Sequence, residues 1–382
     1  MAYNRKQRLN DNIKAIETAF ILDREQRTPT ARERLLLERY CGFGGLKCIL
    51  NPARELADAV HWAKSDLELF APTVELHRLI RENSKNESEY KQLMDSLKQS
   101  VLTAFYTPSA VTEALTDVLK EHQIIPEKVL EPSAGIGAFV DSVLDNNPKA
   151  DIMAFEKDLL TGKILRHLHP EQKVRIEGFE KIEKPFNDYF DLAISNIPFG
   201  DVAVFDPSYT AMKGMRALVT RRIHNYFFVK ALDTVRDGGL VAFITSQGVL
   251  NAKNNSAARF MMLYHADLVS AIRLPNNLFT ENANTEVGSD LIILQKNSQK
   301  ESLRGDDNLL DTVYNDENRI PTNNYFLEHP ERIIHTTAKL DTDPFGKPAM
   351  IYTHEDGVEG IAEDLRKMLH EDFKKNLNLN RY

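Results

Sequence analysis

The run Asp191-Leu-Ala-Ile-Ser-Asn196-Ile197-Pro198-Phe199-Gly200 places polar and aromatic groups at the end of a short apolar stretch. Such a run reads as a buried strand delivering its last residues to its carboxyl end, where open α/β sheets hold their ligands. Asn196 carries an amide oxygen that accepts a hydrogen bond from an amine, a residue before proline is held extended, and Phe199 offers a flat face for stacking. A planar amino group is what this set would clamp.

Something must react with that amino group, and the preceding strands supply it. Lys128-Val-Leu-Glu131-Pro-Ser133-Ala134-Gly135-Ile-Gly137-Ala-Phe139 reads as strand, glycine turn and helix, in which backbone N–H groups and a helix amino end approach a ligand closely. Asp151-Ile-Met-Ala-Phe155-Glu156 is a second strand ending in an acid, 25 residues beyond Glu131, placed to bind a ribose diol. The third candidate strand, Val174-Arg-Ile-Glu177-Gly178-Phe179, puts an aromatic where an adenine ring could stack. A glycine turn, an acid and an aromatic at successive strand ends fit a nucleoside-bearing cofactor. The turn lacks the third glycine of a dinucleotide fingerprint and the Lys-Ser/Thr of a P-loop. An acid opening the turn would repel pyrophosphate but suits an ammonium, so S-adenosyl-L-methionine is the better reading.

Around this centre, Phe105-Tyr-Thr107-Pro108-Ser109 leads into a helix over 110–122, with Thr107 or Ser109 as its cap. Lys213, Arg216, Arg221 and Arg222 follow the Asn196 strand with no acid between 212 and 223, which suits either a solvated helix or contact with nucleic-acid phosphates. Phe279, in a polar loop, is either packing or a second wall for a flipped base. Strands are expected at 267–273 and 289–295. Residues 1–100 read as helical, with a start signal at Thr28-Pro-Thr-Ala-Arg-Glu. The Tyr40-Cys-Gly42-Phe43-Gly44-Gly45-Leu46 stretch is either a glycine-rich helix stop or a loop reaching cofactor or substrate. Residues 83–97 read as an exposed connection, 101–297 as the main domain, and 298–382 as an extension ending in an amphipathic helix and leading to a missing domain.

The chain has 382 residues, 42% apolar and 27% charged, and a net charge of -8. That balance argues against a nucleic-acid coat protein while allowing a local basic patch. No apolar run approaches the ~20 residues of a membrane span, and no signal peptide opens the chain, so a cytoplasmic protein is expected. Cys41 and Cys48 are its two cysteines, with no CxxC, and no metal site is expected; His167 and His169 read as residues of a solvated turn.

Together these motifs resemble the N6-adenine DNA methyltransferases, the class in which the cofactor motifs precede an Asn-Pro-Pro-aromatic tetrapeptide. Phe105-Tyr-Thr107-Pro108 looks like that family's first cofactor motif, Glu131 to Phe139 its glycine motif, Glu156 its ribose acid and Asn196-Ile197-Pro198-Phe199 its catalytic tetrapeptide. The resemblance covers about 100–297. Tyr40–Leu46, Asn196–Asp201 and Ile272-Arg-Leu-Pro-Asn-Asn277 also resemble the methylase part of methylase-helicase fusion proteins of mobile elements, which implies a helicase region after residue 382.

The resemblance implies an α/β, Rossmann-like S-adenosylmethionine-dependent methyltransferase sheet with a helical N-terminal region. It implies cofactor contacts from Phe105, Thr107, Glu131, Ser133, Ala134, Gly135, Gly137, Glu156, Phe179 and Asn196. The implied catalytic set is Asn196, Ile197, Pro198 and Phe199, and the implied partner is DNA, as in restriction-modification. Ile197 stands where the motif has its first proline, and Gly178 where an acid contacts the cofactor's adenine amine, with Glu177 and Glu180 as nearby substitutes. Enzymes that methylate RNA adenine or a protein glutamine share the tetrapeptide. A non-catalytic nucleic-acid-binding module within a larger helicase-type protein is a further reading. A small-molecule methyltransferase fits less well.

Overall fold

The computed structural model describes residues 4–103, 105–212, 214–280, 286–303, 307–314, 320–343 and 346–382. Seven strands form one sheet: β1 (Lys128–Glu131), β2 (Asp151–Phe155), β3 (Lys173–Arg175), β4 (Phe190–Asn196), β5 (Val235–Ser246), β6 (Ala266–Leu274) and β7 (Ser289–Lys296). Their order is β3-β2-β1-β4-β5-β7-β6, with β7 antiparallel between β5 and β6 and the other pairings parallel. The chain winds outward from β1 in one direction and from β4 in the other. The switch point therefore falls between Glu131 and Asn196, the carboxyl ends of those two strands, the position at which open α/β sheets bind their ligands.

The central strands are apolar on both faces because helices cover both. Leu192 and Ile194 of β4 pack with the helices Ser109–Glu121, Ala138–Asn146 and Gly357–Asn376. Ala193 points the other way, into a second core with the helices Ile223–Thr234 and Ser256–His265.

The helices Arg5–Glu25, Ala31–Leu37, Phe70–Glu82 and Glu87–Thr103 build a third core, which takes in Leu160, Ile164 and Leu168 of the main domain. The start signal is a capping box between Thr30 and Glu33. Tyr40 and Phe43 are buried in this core; the Tyr40 hydroxyl lies 3.2 Å from Thr161 Oγ1, and Asn12 Nδ2 donates to the Gly42 carbonyl at 2.6 Å. Gly42, at φ 67°, makes the turn that this bond holds. The expectation of an exposed connection at 83–97 is corrected: residues 87–103 are an amphipathic helix burying Leu93 and Leu97. Ser96 Oγ on that helix donates to Asp158 Oδ2 at 2.8 Å.

Residues beyond 297 complete the main fold instead of standing apart from it. Asn276 Oδ1 accepts from the Tyr352 N–H at 3.0 Å and Asn277 Oδ1 from the His354 N–H at 3.1 Å, so the Ile272–Asn277 motif clasps the hairpin of β10 (Thr337–Thr342) and β11 (Pro348–Thr353); the shorter hairpin of β8 (Thr312–Tyr314) and β9 (Pro321–Asn323) precedes it. The Gly357–Asn376 helix lays Ile361, Leu365, Leu369 and Phe373 into the first core, and its Asp372 accepts from Ser270 Oγ at 2.6 Å. None of the helices among the described residues is long and apolar enough to cross a membrane. Because Leu369 is fully buried, Leu369→Ala is expected to cost about 2–5 kcal/mol of stability, measured as a lower denaturant midpoint of the whole domain.

Candidate active site

Asn196 ends β4 at the switch point, and its Nδ2 donates to the Phe105 carbonyl at 2.8 Å. A carbonyl can only accept, so the amide nitrogen is held on that side and the Oδ1 atom is turned away as a free acceptor. The Ile197 N–H donates to the Ile244 carbonyl of β5 at 3.0 Å, a bond that proline at this position could not make. The Ile197 side chain is buried in the second core. Pro198 and Phe199 are half-buried, and Gly200 turns the chain at φ 134°.

Phe279 meets Phe199 edge-on, with ring centroids 6.4 Å apart at 74°. Phe279 is fully buried, which corrects its reading as a nucleic-acid contact or second wall: it supports Phe199 from the core and presents no face to a base.

The glycine turn is tied to the strands on either side of it. Ala134 N–H donates to the Phe155 carbonyl at 2.8 Å, and Ser195 Oγ to the Ser133 carbonyl at 3.1 Å. Glu156 accepts from Gly135 N–H at 2.8 Å and from Asp158 N–H at 2.7 Å, so it joins the turn to the following helix. Gly135 and Gly137 adopt φ 57° and 91°, and a Cβ at Gly135 would stand 2.8 Å from the Tyr106 ring. At Gly137 a Cβ would stand 2.6 Å from His169 Nε2. His169 is therefore packed under the turn, and burial lowers its pKa to about 4. His167 bonds Asp23 at 2.9 Å, so neither histidine sits on the solvated turn expected for the pair. No cluster of three or more metal-ligating side chains occurs among the described residues.

Two acids and a hydroxyl stand at the ends of β1 and β2 and on the strap before the Ser109–Glu121 helix. Glu131 is 2% exposed and its Oε2 has no hydrogen-bond partner among the described residues. Burial, then Asp141 and Glu156, push its carboxyl well above the usual range. Burial, with Asp158 adding, raises Glu156 to about 8. Thr107 is buried with Oγ1 unpartnered, and the Ser109–Glu121 helix begins after Pro108 with no side-chain cap; the expected capping role is corrected and the hydroxyl is left for a ligand. A sulfonium and an ammonium would relieve this crowd of buried carboxyls.

Phe179 departs from expectation. It is 1% exposed and packed against Phe155 at 5.8 Å and Phe227 at 5.3 Å, so it underlies the pocket and offers no face to an adenine. At neighbouring Gly178 the missing side chain is replaced in space: a Cβ there would fall on the Glu180 carboxylate. Glu177 instead bonds Arg175 at 2.6 Å, which leaves Glu180 as the substitute.

The basic segment is largely neutralised. Arg216 pairs with Asp233 through contacts of 2.5 and 2.9 Å, and Arg222 bonds both Asp201 and Asn255 at 2.6 Å, so their reading as phosphate contacts is corrected. Lys213 lies outside the described residues. Arg221 is exposed and has no side-chain partner among the described residues. Two features had no reading in the sequence: the Phe105 backbone carbonyl, which no side-chain pattern marks, and Tyr106, whose ring abuts Gly135.

The sheet order, the switch point and the acids at the ends of β1 and β2 define a Rossmann-like methyltransferase. The chain belongs to the N-6 DNA methylase family, whose match spans residues 88–351, and S-adenosyl-L-methionine is its cofactor. It is 29% identical over 201 residues to the Defense against restriction protein B of Escherichia phage P1, covering 51% of this chain and 8% of that protein. It is 25% identical over 173 residues to the type II methyltransferase M.XamI of Xanthomonas campestris pv. amaranthicola, covering 42% of this chain and 33% of that protein. The chain thus spans a third or less of the length of these relatives. Among solved structures, the methyltransferase subunit of a type I restriction-modification system from Streptococcus thermophilus matches with a TM-score of 0.46 and 13% identity, over 99% of this chain and 93% of that one.

Glu156 yields a pH prediction. Its folded pKa lies above the ordinary 4.5, so between about 4.5 and 8 the unfolded chain ionises first and the folded state loses stability as pH rises. The expected result is a melting temperature of the cofactor-free protein that falls across that window, a slope that Glu156→Gln flattens and that S-adenosylmethionine offsets in the wild type. A second expectation is that Glu180→Gln raises the cofactor Kd about tenfold by isothermal titration, the size of one lost hydrogen bond to a charged group.

Proposed function

We propose that this chain transfers the methyl group of S-adenosyl-L-methionine to the exocyclic N6 amine of an adenine flipped out of DNA. The observation that carries the reading is the fixed Asn196 amide: with Nδ2 held by the Phe105 carbonyl, Oδ1 is the acceptor left at the switch point. That amine is a poor nucleophile, because its lone pair is delocalised into the ring. Asn196 Oδ1 accepts one of its N–H groups and the Ile197 main-chain carbonyl the other, which draws the nitrogen out of the ring plane. Phe199 stacks on the base, held edge-on by Phe279. S-adenosylmethionine, when bound, supplies an activated methyl group.

Glu131 takes the ammonium of that cofactor, Glu156 its ribose hydroxyls and Glu180 its adenine amine, with Thr107 Oγ1 as a further polar contact. The protein then works by positioning and by hydrogen bonding to developing charge. Residues 101–297 hold this chemistry, 1–100 back the glycine turn, and 298–382 add to the cores on both faces of the sheet. A duplex hides the N6 amine, so flipping the base costs a few kcal/mol, which stacking on Phe199 and phosphate contact at Arg221 offset.

The test is incubation with labelled S-adenosylmethionine and, separately, duplex DNA, RNA and protein. Label is expected in DNA as N6-methyladenine; label in RNA or protein alone, or in none of them despite cofactor binding, would overturn the reading. Asn196→Ala is expected to lower methyl transfer by about two to three orders of magnitude with cofactor affinity retained.

A further inference from the structure

Phe205, six residues beyond Phe199, is 78% exposed, the most exposed aromatic among the described residues. A single exposed apolar side chain is ordinary on a protein surface. This one is set on a backbone that cannot fold it away. On its amino side the Val204 N–H donates to the Thr220 carbonyl at 2.8 Å, and the Val204 side chain packs against the second core. On its carboxyl side Asp206 is buried: its Oδ2 accepts from the Tyr226 hydroxyl at 2.7 Å and from Lys230 Nζ at 3.3 Å, and its Oδ1 from the Ser208 N–H at 2.9 Å. Both neighbours are bonded inward, so the ring between them is held outward, with its apolar surface left in water.

Topology places that ring on the catalytic side of the sheet. The Ile223–Thr234 helix runs directly into the start of β5, which is parallel to β4. The helix therefore descends against the strand direction, and its amino end stands level with the carboxyl end of β4. Arg222 and Tyr226, at that amino end, hold Asp201 and Asp206, so the 201–206 segment is fixed beside the tetrapeptide. Six residues of chain span at most about 20 Å, which bounds the separation of Phe205 from Phe199. Val202 and Leu218, from the same segment, are also exposed, and the described cation here that faces outward is Arg221. Such an edge suits the apolar faces of bases better than the phosphates outside them.

We infer that Phe205 is a wedge that enters the base stack in place of the adenine withdrawn to Phe199. The inference rests on the function proposed above, because a base taken from a duplex leaves two neighbouring pairs facing each other across a gap. Apolar side chains inserted between base steps fill such gaps by stacking, and they tolerate any sequence because every base has a π-face. Phe205 is a positioning residue: it keeps the adenine from returning to the duplex and makes no contact with the transferred methyl group.

The probes are two fluorescein-labelled DNA duplexes of one sequence, the first fully paired and the second lacking a single base, read by fluorescence anisotropy with the full chain. The wild type is expected to bind the abasic duplex about tenfold more tightly, since the gap is already open to the ring. Phe205→Ala is expected to bind the two equally and Phe205→Trp to keep the preference. An exposed position leaves the melting temperature of the Phe205→Ala variant unchanged. Equal binding of the two duplexes by the wild type would overturn the inference. So would a preference that survives in Phe205→Ala, as for an aromatic that docks another protein, or an equal loss of affinity for both duplexes, as for a general surface contact. Methyl transfer to duplex DNA is measured alongside. Transfer by a wild type that shows no preference removes the wedge and leaves the proposed function; a preference that depends on Phe205 without transfer to adenine does the reverse.

Discussion

The bond from the Asn196 amide nitrogen to the Phe105 carbonyl is the constraint on which the rest of the site depends. It links the carboxyl end of β4 to the strap that precedes the Ser109–Glu121 helix, and it decides which atom of the amide faces the switch point. Aspartate would lack the donor, and a longer side chain would displace the acceptor. The strap in turn carries Thr107, whose hydroxyl is not spent on capping the helix. A single main-chain carbonyl therefore sets both halves of the site in register.

Electrostatics divide the same end of the sheet. Glu131 holds a buried carboxyl and Glu156 a half-buried one, both shifted upward, and across the sheet ends the cations are mostly claimed by acids: Arg216 by Asp233, Arg222 by Asp201 and Lys230 by Asp206. The net charge of -8 thus leaves one of the described cations of this segment, Arg221, facing outward. Affinity for a polyanion on such a surface relies on few charges and on the apolar contacts beside them.

The alternation of strand and helix, the glycine turn, the acid after it and the tetrapeptide were legible because each is a local pattern with a local cause. What escaped was decided by distant packing. Phe179 and Phe279 sit in polar surroundings in the chain, yet both are buried, because the Ile223–Thr234 helix and the first core close over them. Arg216 and Arg222 read as free cations because Asp233 lies 17 residues from the first and Asp201 21 from the second. The polar 83–97 stretch hid a helix whose narrow stripe of Leu93 and Leu97 meets a partner contributed by residues 160–168. The Ile272–Asn277 motif, noticed only as a resemblance, turns out to clasp a hairpin through two asparagines, and its Arg273 pairs with buried Asp290 at 2.9 Å.

Ile136, between the two glycines of the turn, packs outward into the N-terminal core together with Tyr106. The turn is thereby packed against a layer of N-terminal side chains between Leu9 and Leu46. Loosening that layer would free the glycine turn after β1, so how firmly the turn keeps its shape depends on the cohesion of the N-terminal helices as much as on the strands beside it.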